Sequence, residues 1–350
     1  MHCDPSGASR LRKLLLLATA AALAALTTAC GSSDSTADAN DASGFPVTVS
    51  TCGHSATFQA PPKRAVATDV NMTEDMLALD LGDRLIGTFA VGDNTHKIGD
   101  QYRDAWNQIK HVSSDYPKLE PLVGLKPDFV FTGWAWGLDE SKNITPDNLA
   151  GYGIKTYILD ESCDWAPGGT TKSSASSASI ETTYTDLRNL GKIFGVRPKA
   201  EQVIDDMKAK IADVRKRVAS STPKKVFLYD SGDAAPFTVG GRSVANAVIT
   251  LAGGTNIFAD VKRSWDGSTW EKVVDAQPDC IILNEYGGAS ASTTAAVKEK
   301  FLKTSPITKD LPAVKNDCIM AFNFDEITPG ARNAETVEKI ARWLHPEAFA

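Results

Sequence analysis

One pattern occurs twice in this chain and restricts it to a fold with two related halves. Leu119-Glu120-Pro121-Leu122-Val123-Gly124-Leu125-Lys126-Pro127-Asp128-Phe129-Val130 is echoed by Trp270-Glu271-Lys272-Val273-Val274-Asp275-Ala276-Gln277-Pro278-Asp279-Cys280-Ile281. Each copy reads as a short helix opening near a Glu, a turn at Pro-Asp, and a buried strand. A second echo precedes each copy: Pro62-Lys63-Arg64-Ala65-Val66-Ala67 and Pro223-Lys224-Lys225-Val226-Phe227-Leu228, both a basic turn running into a strand. Strands that alternate with helices make mostly parallel sheets. The expected fold is α/β, with two similar lobes of mostly parallel sheet and a ligand cleft between them.

Between the copies lies the clearest helix, Pro198 to Ser220, where Pro198 suits the first turn and Val203, Met207, Ile211, Val214 and Val218 share one face. It reads as a single stiff connector over 198–221, between a first lobe over 45–197 and a second over 222–350. In the first lobe, Thr73 is expected to cap a helix from Glu74 to Leu81 that Gly82 ends, and Pro167 to Thr183 is expected to be a loop. In the second, Val244 to Leu251 and Ala334 to Leu344 read as helices.

The N-terminus indicates export. Arg10, Arg12 and Lys13 precede an apolar run from Leu14 to Leu26, too short for a permanent span, and then Thr27-Thr28-Ala29-Cys30. The arrangement resembles a lipoprotein signal over 1–29, with Cys30 the acylated N-terminus of the mature chain, although Thr27 stands where Leu is usual. Residues 30–44 are a polar tether with nothing to bury; at this length a flexible coil spans about 20 Å. The body would then sit on the outer face of the cytoplasmic membrane.

About 300 residues follow, enough for two cores. The whole chain carries a net charge of −6, and loss of the signal makes it more acidic still. No basic run survives, which argues against a nucleic-acid partner. Cys52, Cys163, Cys280 and Cys318 remain in an oxidising compartment, where three pairings are open. Cys52 with Cys163 and Cys280 with Cys318 is the pairing expected here, because each bridge then stays within one lobe. No Cys-x-x-Cys spacing and few His residues argue against zinc or a free-metal site.

The order of these features resembles the class III solute-binding lipoproteins of ABC importers, the ferric-siderophore and cobalamin-binding family. The resemblance covers nearly everything after Phe45. It rests on Pro62-x-Arg64-x-Val66, on Ala78-Leu79-x-Leu81-Gly82-Asp83-Arg84-Leu85-Ile86-Gly87, on both Glu…Pro-Asp copies, on Leu190-Gly191 and on Gly253-Gly254-x-Asn256. It implies two lobes joined by one long helix, a monomer, and an ABC permease with its ATPase as partner. Glu120 and Glu271 match the acids with which such proteins dock onto permease arginines, a charge-assisted and geometrically specific contact.

Ligands of open α/β sheets sit outside the carboxyl ends of the strands. Residues expected there are Trp134, Trp136, Tyr229, Asp230, Arg242, Trp265, Tyr286, Phe324 and Arg332, the two arginines as holders of a carboxylate or phosphate. Asn71, Asp93 and Asp233 are weaker candidates. Such an aromatic cleft suits a ferric siderophore, whose own atoms coordinate the metal, and no intrinsic cofactor is expected. Cobalamin and haem are alternatives. The Cys52-Gly53, Gly133-Trp134, Asp233 and Trp270-Glu271 segments also resemble an actinobacterial subgroup proposed to carry a deazaflavin precursor. An enzyme is disfavoured: the chain has no Gly-x-Ser-x-Gly elbow, phosphate loop or His-Glu-x-x-His.

Overall fold

The computed structural model describes residues 44–91, 98–164, 179–286 and 294–350, apart from the side chains of Ala135, Trp136 and Asp164. The signal, Cys30, most of the tether, Asp93, the Trp136 side chain and most of the expected loop at 167–183 lie outside the described residues.

A hairpin of β1 (Val47–Thr51) and β2 (His54–Phe58) leads into the first lobe. There β3 (Ala65–Thr68), β4 (Leu85–Phe89), β5 (His111–Ser113), β6 (Phe129–Thr132) and β7 (Lys155–Ile158) form a parallel sheet in the order β5-β4-β3-β6-β7. The second lobe contains β8 (Lys224–Tyr229), β9 (Phe237–Val239), β10 (Gly254–Asn256), β11 (Trp265–Gly267), β12 (Cys280–Glu285) and β13 (Ile319–Asn323). Its main sheet is also parallel, in the order β10-β8-β12-β13, while β9 and β11 pair separately and antiparallel. Strands such as β3 and β6 are buried along their whole length, as parallel sheets covered on both faces require. The strand order reverses between β3 and β6 in one lobe and between β8 and β12 in the other. Those reversals open crevices at the carboxyl ends of the strands.

The two echoes turn out to be halves of one device. Asp128 accepts from the main-chain N–H groups of Lys63 and Arg64 at 2.8 and 2.9 Å, and Arg64 donates to the carbonyls of Lys126 and Leu125. In the second lobe Asp279 accepts from Lys225 N–H at 2.7 Å, and Lys225 Nζ donates to the Ala276 carbonyl. Each Pro-Asp turn therefore clamps the start of the neighbouring strand, and each basic side chain satisfies carbonyls left open past a helix end.

The connecting helix runs from Arg197 to Val218, with Pro198 in its first turn. Its buried stripe is Ala200, Ile204, Met207, Ile211, Val214 and Val218; Val203 lies at the rim, half-buried. It packs on the helix Glu181–Phe194 and on the closing helix Asn333–Leu344. Gly191 permits the first of these contacts, because a Cβ there would come within 2.6 Å of the Ala200 Cβ.

Two expectations need correction. The first helix spans Val70–Ala78, so Thr73 is interior and not its cap. The Thr73 hydroxyl instead bonds back to the Asp69 carbonyl at 2.8 Å. Residues 181–183, placed in a loop by their polarity, begin the Glu181–Phe194 helix. Cys52 is bonded to Cys163, and Cys280 to Cys318. Among the described residues no helix is long and apolar enough to cross a membrane.

Candidate functional site

The two strand-order reversals face each other, and the aromatic side chains converge there. In the first lobe β6 runs into Gly133 and the short turn Trp134–Gly137. A Cβ at Gly133 would meet the Leu159 Cβ at 2.9 Å, so only glycine lets the chain turn this tightly. Trp134 is 7% exposed, and its ring lies 5.9 Å from that of Phe324, which opens the helix Phe324–Ile327 beyond β13 in the other lobe. Asn323 and Glu326 fix that helix with a capping box.

Phe324 is the hub. It also lies 5.0 Å from Tyr286, nearly parallel to it, and 6.0 Å from Trp265. Trp265 in turn stacks on Phe237 at 6.2 Å. The structure thus brings Trp134, Trp265, Tyr286 and Phe324 together.

Beneath Tyr286 lies a polar scaffold. Its hydroxyl donates to Asp230 at 2.6 Å, and Asn284 Nδ2 donates to the same carboxylate. Lys298 Nζ donates to the Asn284 carbonyl and sits 5.4 Å over the Tyr286 ring. Burial, helped by the charge of Asp230, pushes the Tyr286 phenol well above its ordinary range. Asp230 is therefore a buried anchor for an aromatic wall.

At the other reversal, Asp69 follows β3. One oxygen accepts from the Tyr116 hydroxyl at 2.7 Å. Burial raises its carboxyl to about 7; Tyr116 opposes the shift, and Asp325 across the seam adds to it.

Tyr229, Asp233 and Arg332 have roles other than those expected of them. Tyr229 points away from the cleft into the second-lobe core. It is fully buried against Phe227 and Trp270, and its hydroxyl meets Asp233 at 3.0 Å. Strand alternation explains this, because adjacent residues of β8 face opposite sides. Asp233 serves this turn, its carbonyl accepting from the Trp270 indole at 2.7 Å. Arg332 is committed across the lobes: its Nε donates to Glu74 at 2.5 Å, with the side chains 8% and 1% exposed. Burial lifts the Glu74 carboxyl even though Arg332 opposes it. Arg242 is half-buried just ahead of the helix Val244–Leu251, its main-chain N–H donating to the Arg263 carbonyl.

Sequence reasoning missed Glu161. It follows β7, is 4% exposed, and crosses to the second lobe. There it accepts from the Trp265 indole at 3.1 Å and from the first N–H of the Val244–Leu251 helix at 2.7 Å. Its position just beyond a strand's carboxyl end was the available signal. Further polar bonds join the lobes: Asn71 Nδ2 to the Pro329 carbonyl at 2.8 Å, Ala331 N–H to Asp75 at 2.7 Å, and Thr183 to Asn333 at 2.8 Å. Glu120 and Glu271 lie outside the cleft, both exposed in the first turns of Leu119–Gly124 and Trp270–Ala276.

Two parallel sheets face each other across an aromatic seam, and among the described residues no strand passes from one to the other, which is a two-lobed α/β architecture with its candidate site between the lobes. The pattern of the periplasmic binding protein family matches residues 66–325, and the chain belongs to that family. It is 25% identical over 87% of its length to an ABC transporter substrate-binding lipoprotein of Bacillus subtilis, 87% of which is covered. It is 26% identical over 63% of its length to a vitamin B12-binding protein of Yersinia pseudotuberculosis, 69% of which is covered. The solved ABC-type Fe3+-hydroxamate transport system of Saccharomonospora viridis has the same fold, with TM-score 0.70 and 21% identity over 87% of this chain and 99% of that one. The protein is the substrate-binding component of an ABC importer, and its relatives are solute-binding proteins, not enzymes.

Proposed function

We propose that the protein captures a preassembled iron–siderophore complex in the aromatic cleft and presents it to the permease through Glu120 and Glu271. The observation that carries this reading is the convergence of Trp134, Trp265, Tyr286 and Phe324 on the facing strand-order reversals of both lobes. Aromatic faces stack on large planar or apolar ligands, and ligand pockets of this fold class form at such reversals.

The matched acids support docking. Glu120 and Glu271 occupy equivalent exposed places in equivalent clamped turns, one on each lobe, so each lobe offers one carboxylate to a charge-assisted contact. Acylation of Cys30 would hold the body, as a monomer, beside its permease. Cobalamin is the second reading, favoured by the similarity to a protein named for vitamin B12 binding.

Tryptophan fluorescence of residues 44–350 tests the cargo. Saturable quenching by a ferric hydroxamate, catecholate or carboxylate siderophore, absent with its iron-free form, is the expected result. Quenching only by cobalamin, haem or a deazaflavin precursor would replace the cargo and keep the importer.

A further inference from the structure

Three neighbouring strands of the first sheet are followed within two residues by a non-glycine residue with positive φ: Asp69 after β3 at 58°, Ala90 after β4 at 59°, and Trp134, beyond Gly133, after β6 at 60°. Asp69 pairs this φ with ψ of 159°, a region that glycine almost alone populates. Apart from accepting the Tyr116 hydroxyl, its side chain has no evident use in the fold. The helix that follows is capped by the main chain, with Thr73 N–H and Oγ both bonded to the Asp69 carbonyl, a service any residue could give.

The side chain nonetheless carries unused bonding capacity. Tyr116 takes Oδ1, but Oδ2 is buried with no hydrogen-bond partner, on a residue only 6% exposed. The Trp134 indole N–H is also buried without a partner. The two residues leave adjacent strands, whose spacing is about 4.8 Å, and both meet the Phe324–Ile327 helix of the other lobe. A strained backbone and two orphaned polar atoms therefore coincide at the reversal of strand order, where ligands of such sheets bind.

We propose that Asp69 and Trp134 are the specificity pair of the cleft, Asp69 Oδ2 accepting from an N–H or O–H of the ligand and the Trp134 indole donating to an oxygen beside it. This rests on the cleft reading above and narrows its ligand. The ligand stacks on the aromatic hub and carries at its edge an amide, or a hydroxyl next to a carbonyl. An anionic edge is disfavoured, because Asp69 and Asp325 already share this corner.

The test uses the full chain in detergent, with a ferric trihydroxamate, cyanocobalamin and haemin as probes. Asp69→Gly is combined with Tyr116→Phe so that neither partner of their hydrogen bond is left orphaned. Expected is at least a tenfold loss of affinity for the probe the parent binds, together with a melting temperature raised by about 2 °C. Trp134→Phe, which keeps a ring and removes the N–H, is expected to lose several-fold in affinity with little change in melting. A double variant that melts below the parent overturns the proposal, and so does unchanged affinity in both variants. Preference for haemin, with its two carboxylates, would also contradict it. If the parent binds none of the probes, the failure lies with the choice of cargo, and the melting comparison still decides the role of Asp69.

Discussion

The outer faces of the two lobes are near copies, whereas their inner faces are not. Outside, Asp128 with Arg64 and Asp279 with Lys225 build the same clamp, and each clamp ends a short helix that opens with an exposed Glu. Inside, the first lobe contributes strained, under-bonded groups at Asp69 and Trp134. The second contributes aromatic rings fixed by the Asp230, Asn284 and Lys298 network. A permease that grips both lobes needs matched handles. A ligand without two-fold symmetry needs two different walls.

The largest effect expected separates these faces outright. Charge reversal of both acids, Glu120→Arg with Glu271→Arg, should abolish transport in cells or vesicles and leave ligand affinity unchanged. Loss of affinity in that variant would merge the two surfaces that the comparison keeps apart.

Next is the seam. Arg332→Met leaves Glu74 buried without its cation, and breaking such a pair costs about 3–5 kcal/mol. Urea unfolding should show that loss. An affinity loss without a stability loss would restore Arg332 as a ligand anchor.

Acidity sharpens the same contrast. Asp69 has a folded value near 7 and an unfolded one near 3.8. The folded state therefore holds the proton more tightly between those values, and stability should fall as pH rises from about 4 to about 7. Above the folded value the penalty is complete. Glu74 shifts in the same direction, so the slope should flatten in Asp69→Asn and flatten further with Glu74→Gln. A slope that survives both changes would assign the titration to the other buried carboxyls that burial raises, Asp75 at the seam and Asp186. Smallest is Glu161→Gln, which weakens one of two acceptor contacts: a few-fold change in affinity is expected, with a red shift of Trp265 emission as the lobes loosen.

Much of this was legible in the sequence, for identifiable reasons. The repeat revealed two lobes because each copy carries its own clamp, and clamps need specific residues at fixed spacing. The connecting helix showed because Met207, Ile211, Val214 and Val218 keep a helical period. The Glu181–Phe194 helix was half hidden, because its buried face includes Thr182, Thr183, Asp186 and Asn189. Those side chains are buried for their hydrogen bonds, such as Tyr157 to Asp186 at 2.7 Å; they hide the start of the helix, and the apolar stripe of Tyr184, Leu187, Leu190 and Ile193 begins only after it.

Between the lobes, the aromatic residues that the structure clusters were legible by type, because they fall in glycine-rich turns and not on periodic faces. Glu161 was not picked out, because a carboxylate in a sequence does not show whether it is solvated or buried. Tyr229 was misplaced for the converse reason, since a strand's last residues alternate between cleft and core and the sequence does not mark which side faces which.

The proposed separation of an inner binding face from an outer docking face can be measured directly by hydrogen exchange, with and without a saturating amount of whichever probe binds. New protection at 68–71, 132–134, 284–286 and 323–327, with none at 119–124 and 270–276, is the expected result. Protection centred on the two outer helices, with the strand ends unchanged, would contradict the account.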